Sequence, residues 1–394
     1  MSPRIAQRFS GVERSATVAL LETVQRLRRD GVEVLDLSGG EPDFTTPAPV
    51  VAEAVSALEG GDTHYTPSRG VPELLRAVAD KLATENGVRV DPATGVIVTP
   101  SAKQALFTAL MTVLDPGDEV IVPTPAWVSY PAMAGLLGAR AVPAELSAAD
   151  GFRLSRRVLE DRVTERTRAL VVNTPANPTG HVLDRAEAEE IVAFAVRHDL
   201  VLVVDEIYEK ILYDGRRHLS LASLPGAAER TLTVNGFSKA YAMTGWRLGY
   251  LAGPEPLISA ALKVQEHTVS CAASFVQRGG VAALTRAAGD VAAMRAEYAA
   301  RRELTVSALT ALPGVTCAQP EGAFYAFADV RGTGLTSAGF AQRLLDEAAV
   351  TVAPGPAFGA GGEGYVRLSF AASREVLRGA VERLSRLAAR WEVG

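Results

Sequence analysis

From about residue 95 onward this 394-residue chain alternates short β-rich runs with stretches of helical periodicity. No other feature of the sequence limits its fold as much. Val96-Ile97-Val98-Thr99 reads as a strand and 103–114 as a helix, halted by Asp115-Pro116-Gly117. A strand at 119–122, a helix after Trp127 and a strand around 139–142 follow. The runs 169–172 and 200–204 are apolar without alternation, as in parallel strands covered on both faces, and 187–198 between them has helical spacing. Two more strands are expected at 231–234 and 248–251. Strands interleaved with helices imply βαβ units and a mainly parallel sheet, an α/β fold.

The tail from about residue 290 has a different pattern. Two long helical stretches, 290–311 and 374–391, flank short strands near Phe324-Tyr325-Ala326-Phe327 and Tyr365-Val366-Arg367-Leu368. That is an α+β arrangement. The chain exceeds what one hydrophobic core usually supports. The expected division is a large domain over 46–289 and a small α+β domain over 290–394. An N-terminal segment, 1–45, carries one helix (16–29) and a strand (32–37) and is expected to pack with the small domain. The glycine-rich run 359–364 reads as a short mobile turn without the Lys-Ser/Thr of a phosphate-binding loop.

Bulk properties exclude several classes. A net charge of −5, with 40 Lys and Arg spread along the chain, argues against nucleic acid as a partner. The two cysteines, Cys271 and Cys317, form no disulfide framework, which fits a reducing cytoplasm. No signal peptide opens the chain, and no apolar run reaches the roughly 18 residues of a membrane span. The five histidines show no ligand spacing, so no metal is expected.

In open α/β sheets, ligands bind beyond the carboxyl ends of the strands. Four expected strands end there in polar residues: Thr99-Pro100-Ser101-Ala102-Lys103, Asn173 through Asn177 to Gly180, Asp205-Glu206-Ile207-Tyr208, and Asn235-Gly236-Phe237-Ser238-Lys239. A carboxylate following five apolar residues, Asp205, is poorly solvated and needs a partner. A helix N-cap is the simpler reading of that residue alone. Lys239, desolvated at a strand end, would lose basicity and become a nucleophile toward carbonyls; most lysines are merely surface groups. Ser101 and Ala102 open a helix, whose free N–H groups suit either a phosphate or simple capping.

Taken in order, these residues carry a resemblance. The chain resembles the fold-type I, class I aminotransferases that use pyridoxal 5′-phosphate (PLP), specifically the bacterial aspartate aminotransferase subgroup, over roughly residues 15–390. The carrying pieces are Gly40-Glu41-Pro42-Asp43-Phe44, Tyr65-Thr66-Pro67 with Gly70, and Ser101 to Leu106. Asn177-Pro178-Thr179-Gly180, Asp205-Glu206-Ile207-Tyr208, Ser238-Lys239-Ala240 through Trp246-Arg247, and Val366-Arg367-Leu368-Ser369 complete the set. The resemblance implies a seven-stranded, mainly parallel sheet with helices on both faces, and it overturns the simpler readings of Asp205 and Lys239.

It also implies roles. Lys239 matches the Schiff-base lysine, and Asp205 the acidic partner of the pyridine nitrogen. Tyr208 and Asn177 match the groups that bond the ring oxygen, and Trp127 the stacking aromatic, although a core Trp is otherwise the simpler reading. Ser101 and Ala102 (backbone), Ser238 and Arg247 match the phosphate donors. Tyr65 matches a tyrosine that reaches a neighbouring subunit's phosphate, which implies a homodimer with shared sites. Arg367 and Gly40 match the grip on the substrate α-carboxylate; Trp127 and Asn177 also border the substrate. The implied reaction is ping-pong transfer of an amino group from an L-amino acid to a 2-oxo acid, with Lys239 moving the proton at Cα.

Lys103 matches a lysine that pairs with the distal carboxylate of aspartate or glutamate, and Thr17 lies in a segment expected to close over the site. Two departures touch specificity: Cys271-Ala272-Ala273-Ser274 stands where Asn-Pro-Thr-Ser is usual, and Ser38-Gly39 where Gly-Ala is common. Rival readings are a pathway-specific aminotransferase for aromatic or unusual amino acids, a non-transaminating PLP enzyme on this scaffold, and a cofactor-sensing regulator. The last would need a DNA-binding segment, for which the sequence leaves no room.

Overall fold

A computed structural model describes residues 5–14 and 16–390. Its first strand, β1 (Leu35–Asp36), lies near the N-terminus. Seven more make the main sheet: β2 (Val96–Thr99), β3 (Glu119–Thr124), β4 (Arg140–Glu145), β5 (Thr167–Asn173), β6 (Val201–Asp205), β7 (Thr231–Gly236) and β8 (Gly249–Ala252). Their order across the sheet is β2-β8-β7-β6-β5-β3-β4. Every pairing is parallel except those of β8, which runs antiparallel to both neighbours. The apolar run in β6 is buried from Leu202 to Asp205, between helices on both faces. That is why its sequence shows no alternation.

Five short strands follow: β9 (Thr316–Cys317), β10 (Tyr325–Asp329), β11 (Val350–Thr351), β12 (Ala353–Pro354) and β13 (Tyr365–Ser369). Four of them form an antiparallel sheet, β12-β13-β10-β9, while β1 pairs with β11 in parallel. The N-terminal segment is thus tied to the tail by backbone bonds, Leu35 opposite Val350. The strand expected over 32–37 shrinks to two residues because β11 offers only two partners. One apolar cluster joins this region, including Phe324, Phe340, Val366 and Leu377, to Tyr208 and Ile211 beyond the end of β6.

Two other expectations are corrected. No helix follows Asp205: residues 207–210 form turns, so the N-cap reading fails. The glycine-rich run is a packed corner rather than a loose turn. Gly355–Phe358 and Ala360–Gly362 are successive 3₁₀ turns, and Cβ atoms on Gly355 or Gly362 would lie 1.9–2.1 Å from the other residue's carbonyl oxygen. Only glycine permits that approach. The helix expected over 187–198 spans Arg185–Arg197, opened by a capping box between Asp184 and Glu187.

Candidate active site

The carboxyl ends of β2, β5, β6 and β7 place the predicted polar residues at one edge of the sheet. Asp205 is the last residue of β6, in register with Asn173 and Val234. The Asn173 amide donates to the Asp205 carbonyl at 2.9 Å, and the Asn173 side-chain oxygen accepts the Asn177 N–H at 2.8 Å, so the β5 and β6 ends are laced together. The Asp205 carboxylate accepts from Tyr130 Oη (2.9 Å) and from the Ile207 N–H (3.2 Å). Among the described residues no Lys, Arg or His lies within 4.0 Å of it. Burial pushes its pKa up to about 6, against the pull of those two donors. A buried carboxylate without a cation is costly on its own and suited to a cationic ligand atom.

Lys239 follows β7 and brings its amine to 2.5 Å from the Gly40 carbonyl oxygen. Burial lowers its pKa to about 8; Glu41 and Asp205 oppose the shift, while Arg367 and Arg247 reinforce it. Such an amine is partly neutral near physiological pH, as a nucleophile or proton carrier must be. Arg367, on β13, is fully enclosed between the faces of Tyr325 (4.3 Å) and Phe358 (4.7 Å). It donates to Asn177 Oδ1 (3.0 Å) and to the Ser38 carbonyl (2.6 Å), and its buried Nε–H has no partner among the described residues. Asn177 thereby keeps its NH₂ free as a donor.

Ser101 caps the helix Ala102–Val113, its hydroxyl accepting from the Gln104 N–H. Ser101 and Arg247 both hold positive φ, 101° and 54°, conformations that cost non-glycine residues energy and cluster at ligand sites. Gly249 allows β8 to approach this helix start: a Cβ there would sit 2.3 Å from the Ala102 nitrogen. Ser238 is buried at the end of β7, and the Arg247 guanidinium lies near enough to Lys103 to depress its pKa, second to the effect of burial. The Lys103 amine sits 4.9 Å over the Trp127 ring, which is half-buried just ahead of the helix Ser129–Leu136. Tyr65 stands apart, 90 % exposed. The side chain of Thr17 lies outside the described residues.

Three site residues escaped the sequence reading. Tyr130 contacts Asp205, Tyr325 Oη lies 2.9 Å from Tyr208 Oη, and Phe358 covers Arg367. The first two are legible only in retrospect. Tyr130 stands one helical turn after Trp127, and Tyr325 shares a strand face with Phe327, the register partner of Arg367. A cluster of titratable groups was also missed. Glu206, Glu209 and His218 gather their ligand atoms within 4.8 Å of one another. Lys81, Asn86 and Ser220 already bond these carboxylates, so the group is an internal ion-pair network.

The donor set fits PLP: an acid for the ring nitrogen, a weakly basic lysine, a helix N-terminus beside Arg247 for the phosphate, and a buried arginine for a carboxylate. No helix of the described residues is long and apolar enough to cross a membrane. Comparison with known proteins gives a consistent answer. The family described as Aminotransferase class I and II matches residues 32–384. An aspartate aminotransferase of Musicola paradisiaca is 46% identical over 382 residues, covering 97% of this chain and 96% of that protein. Aromatic-amino-acid aminotransferase 2 of Thermococcus litoralis is 44% identical over 91% of this chain and 92% of its own length. The solved structure of the Thermus thermophilus aspartate aminotransferase with maleate superposes with a TM-score of 0.93 at 43% identity, covering 98% of this chain and 100% of that one. With a family match over most of its length and relatives this similar, the chain belongs to the class I and II aminotransferases.

Proposed function

We propose that the protein is a PLP-dependent transaminase that exchanges amino groups between L-aspartate or L-glutamate and 2-oxo acids. It would work in the cytoplasm as a homodimer. The single observation that carries this reading is the Asp205 carboxylate, buried without a cation in the same site as the Lys239 amine and the Arg367 guanidinium. When bound, PLP supplies a protonated ring that draws off the electron pair released at the substrate Cα.

The chain's own groups do the rest. Asp205 holds the proton on the ring nitrogen, helped by the Tyr130 hydroxyl, whose hydrogen bond favours the ionised carboxylate. Tyr208 and the Asn177 NH₂ bond the ring oxygen, and Trp127 covers the ring. The Ser101 and Ala102 N–H groups with Ser238 and Arg247 hold the phosphate, joined by Tyr65 from a second subunit. Arg367 and the Gly40 backbone orient the α-carboxylate. Lys239 would hold the cofactor through its amine and, once free, would remove and return the proton at the substrate Cα. Lys103 meets the distal carboxylate; its position over Trp127 supports a dicarboxylate preference. The domain reading goes with this, a large body over 46–289 carrying the cofactor groups and a small one over 290–394, with 1–45, carrying Arg367.

The test is a half-reaction followed by absorbance. Purified holoprotein is mixed in turn with aspartate, glutamate, phenylalanine, tyrosine and alanine. Rapid loss of the visible band with the two acidic substrates, slowed roughly ten- to a hundredfold by Lys103→Ala, is expected. Loss with the aromatic substrates alone would transfer the assignment to an aromatic transaminase.

A further inference from the structure

Tyr325 touches three of the groups to which the reading above gives work. Its hydroxyl lies 2.9 Å from Tyr208 Oη. Its ring face carries the Arg367 guanidinium at 4.3 Å. A Cβ on Gly40 would sit 2.6 Å from its hydroxyl oxygen, so position 40 is glycine partly to make room for this tyrosine. The side chain is fully buried on β10, held edge-on to Tyr208 (5.8 Å, 81°) and against Phe324 (4.9 Å). Tyr208 is the hydroxyl's one hydrogen-bond partner among the described residues.

We propose that Tyr325 is a positioning residue that couples the ring-oxygen side of the site to the carboxylate side: its hydroxyl donates to Tyr208, and its ring supports Arg367. The inference rests on the PLP reading. A phenol has one proton to give. Once Tyr208 spends its own on the cofactor's ring oxygen, the 2.9 Å contact requires Tyr325 to be the donor. Burial, foremost, holds the pKa values of both tyrosines above the usual phenol range, which keeps both protons in place. A hydrogen bond received by Tyr208 polarises it and strengthens the bond it donates. That donation favours the form of the lysine-bound cofactor in which the ring oxygen carries its charge uncompensated, so it lowers the pH at which the visible band titrates. The ring contact has a separate effect: where both groups are buried, an aromatic face under a guanidinium fixes the cation's plane and offsets its desolvation.

The two functions separate by substitution. Tyr325→Phe removes the hydroxyl and keeps the ring; Tyr325→Leu removes both. Each variant and the parent are purified with PLP, the visible band is titrated with pH, and maleate binding is measured by its perturbation of that band. In Tyr325→Phe the midpoint is expected to rise by roughly half to one pH unit, while maleate affinity changes less than about threefold. In Tyr325→Leu the midpoint should rise as far and maleate affinity fall by roughly ten- to thirtyfold. A merely structural tyrosine would lower the melting temperature and leave the midpoint in place. An unchanged midpoint in Tyr325→Phe, with a normal band in the parent, overturns the inference alone. Equal maleate affinity in the two variants removes the ring's part in it. If the parent shows no titrating band, both the PLP reading and this inference fall. The near-isosteric Phe variant decides the hydroxyl's role even if the Leu variant does not fold.

Discussion

Asp205 and Glu206 are consecutive carboxylates at the end of one buried strand, and the protein treats them in opposite ways. Glu206 faces a network in which two carboxylates meet Lys81 and His218. Its Oε2 accepts from the Ser220 hydroxyl (2.7 Å) and pairs with His218 (3.2 Å), while neighbouring Glu209 bonds Lys81 and, at 2.7 Å, Asn86. Asp205 has two hydrogen-bond donors and, among the described residues, no basic side chain within 4.0 Å. The electrostatic consequences differ in sign. Burial raises the pKa of Asp205 to about 6, whereas the field of Lys81 and His218 overcomes burial at Glu209 and lowers it. The difference is one of counter-charge rather than of hydrogen bonding: Glu206 Oε1 lacks a partner among the described residues, whereas both Asp205 oxygens are bonded, yet only Asp205 has no basic side chain within 4.0 Å, an arrangement that costs stability and suits a cationic ligand atom.

The first way to break this comparison is to neutralise each carboxylate. Asp205→Asn is expected to lower transamination by at least about 10³-fold, since the ring nitrogen loses the group that keeps it protonated. The same change should make the apoprotein more stable by on the order of 1–3 kcal/mol at neutral pH. The sign follows from linkage. A carboxyl whose folded pKa is raised above its unfolded value favours the fold at low pH, and that contribution is lost between about pH 4 and pH 6. Denaturant titration of the apoprotein checks it. Glu209→Gln should do the reverse, costing roughly 3–5 kcal/mol by stranding Lys81 while leaving kcat within a few-fold in the folded fraction.

A smaller effect sharpens specificity. Lys103→Ala is expected to reduce kcat/KM for aspartate by roughly ten- to a hundredfold and to leave alanine nearly unaffected. Steady-state kinetics with both substrates would show it. Smaller still is a pH effect away from the site. His181 lies between Glu187 (3.0 Å) and Glu321 (3.5 Å), linking the loop after β5 to the approach to β10. Burial alone would lower its pKa, but these two carboxylates raise it to about 9. A raised histidine contributes stability that is full below its unfolded value near pH 6.5 and is lost as pH rises through 9. Melting temperature should therefore decline across pH 7–10 by more in the parent than in His181→Gln.

Much of the site was readable because its residues follow strands whose apolar runs have no other explanation. Asn177, Asp205 and Lys239 interrupt such runs with groups that burial penalises. What stayed hidden has physical causes. Tyr130 and Tyr325 look like ordinary core aromatics, and only their hydroxyl contacts, with residues 75 and 117 positions away, tie them to the candidate site. The Lys81–Glu209 pair spans 128 residues and leaves no local pattern. The reversed direction of β8 depends on a connection too irregular to carry periodicity, and the run 359–364 reads as loose from sequence because glycine serves close packing as well as freedom, here where Gly362 meets Gly355.

The measurement that tests the central claim most directly is reductive trapping. Protein incubated with PLP is reduced with borohydride, digested and analysed by mass spectrometry. One pyridoxyl group per chain on Lys239, with no label on Lys81 or Lys103, is the expected result. Label on other lysines in preference to Lys239, or no label at all, would contradict the assignment of this site.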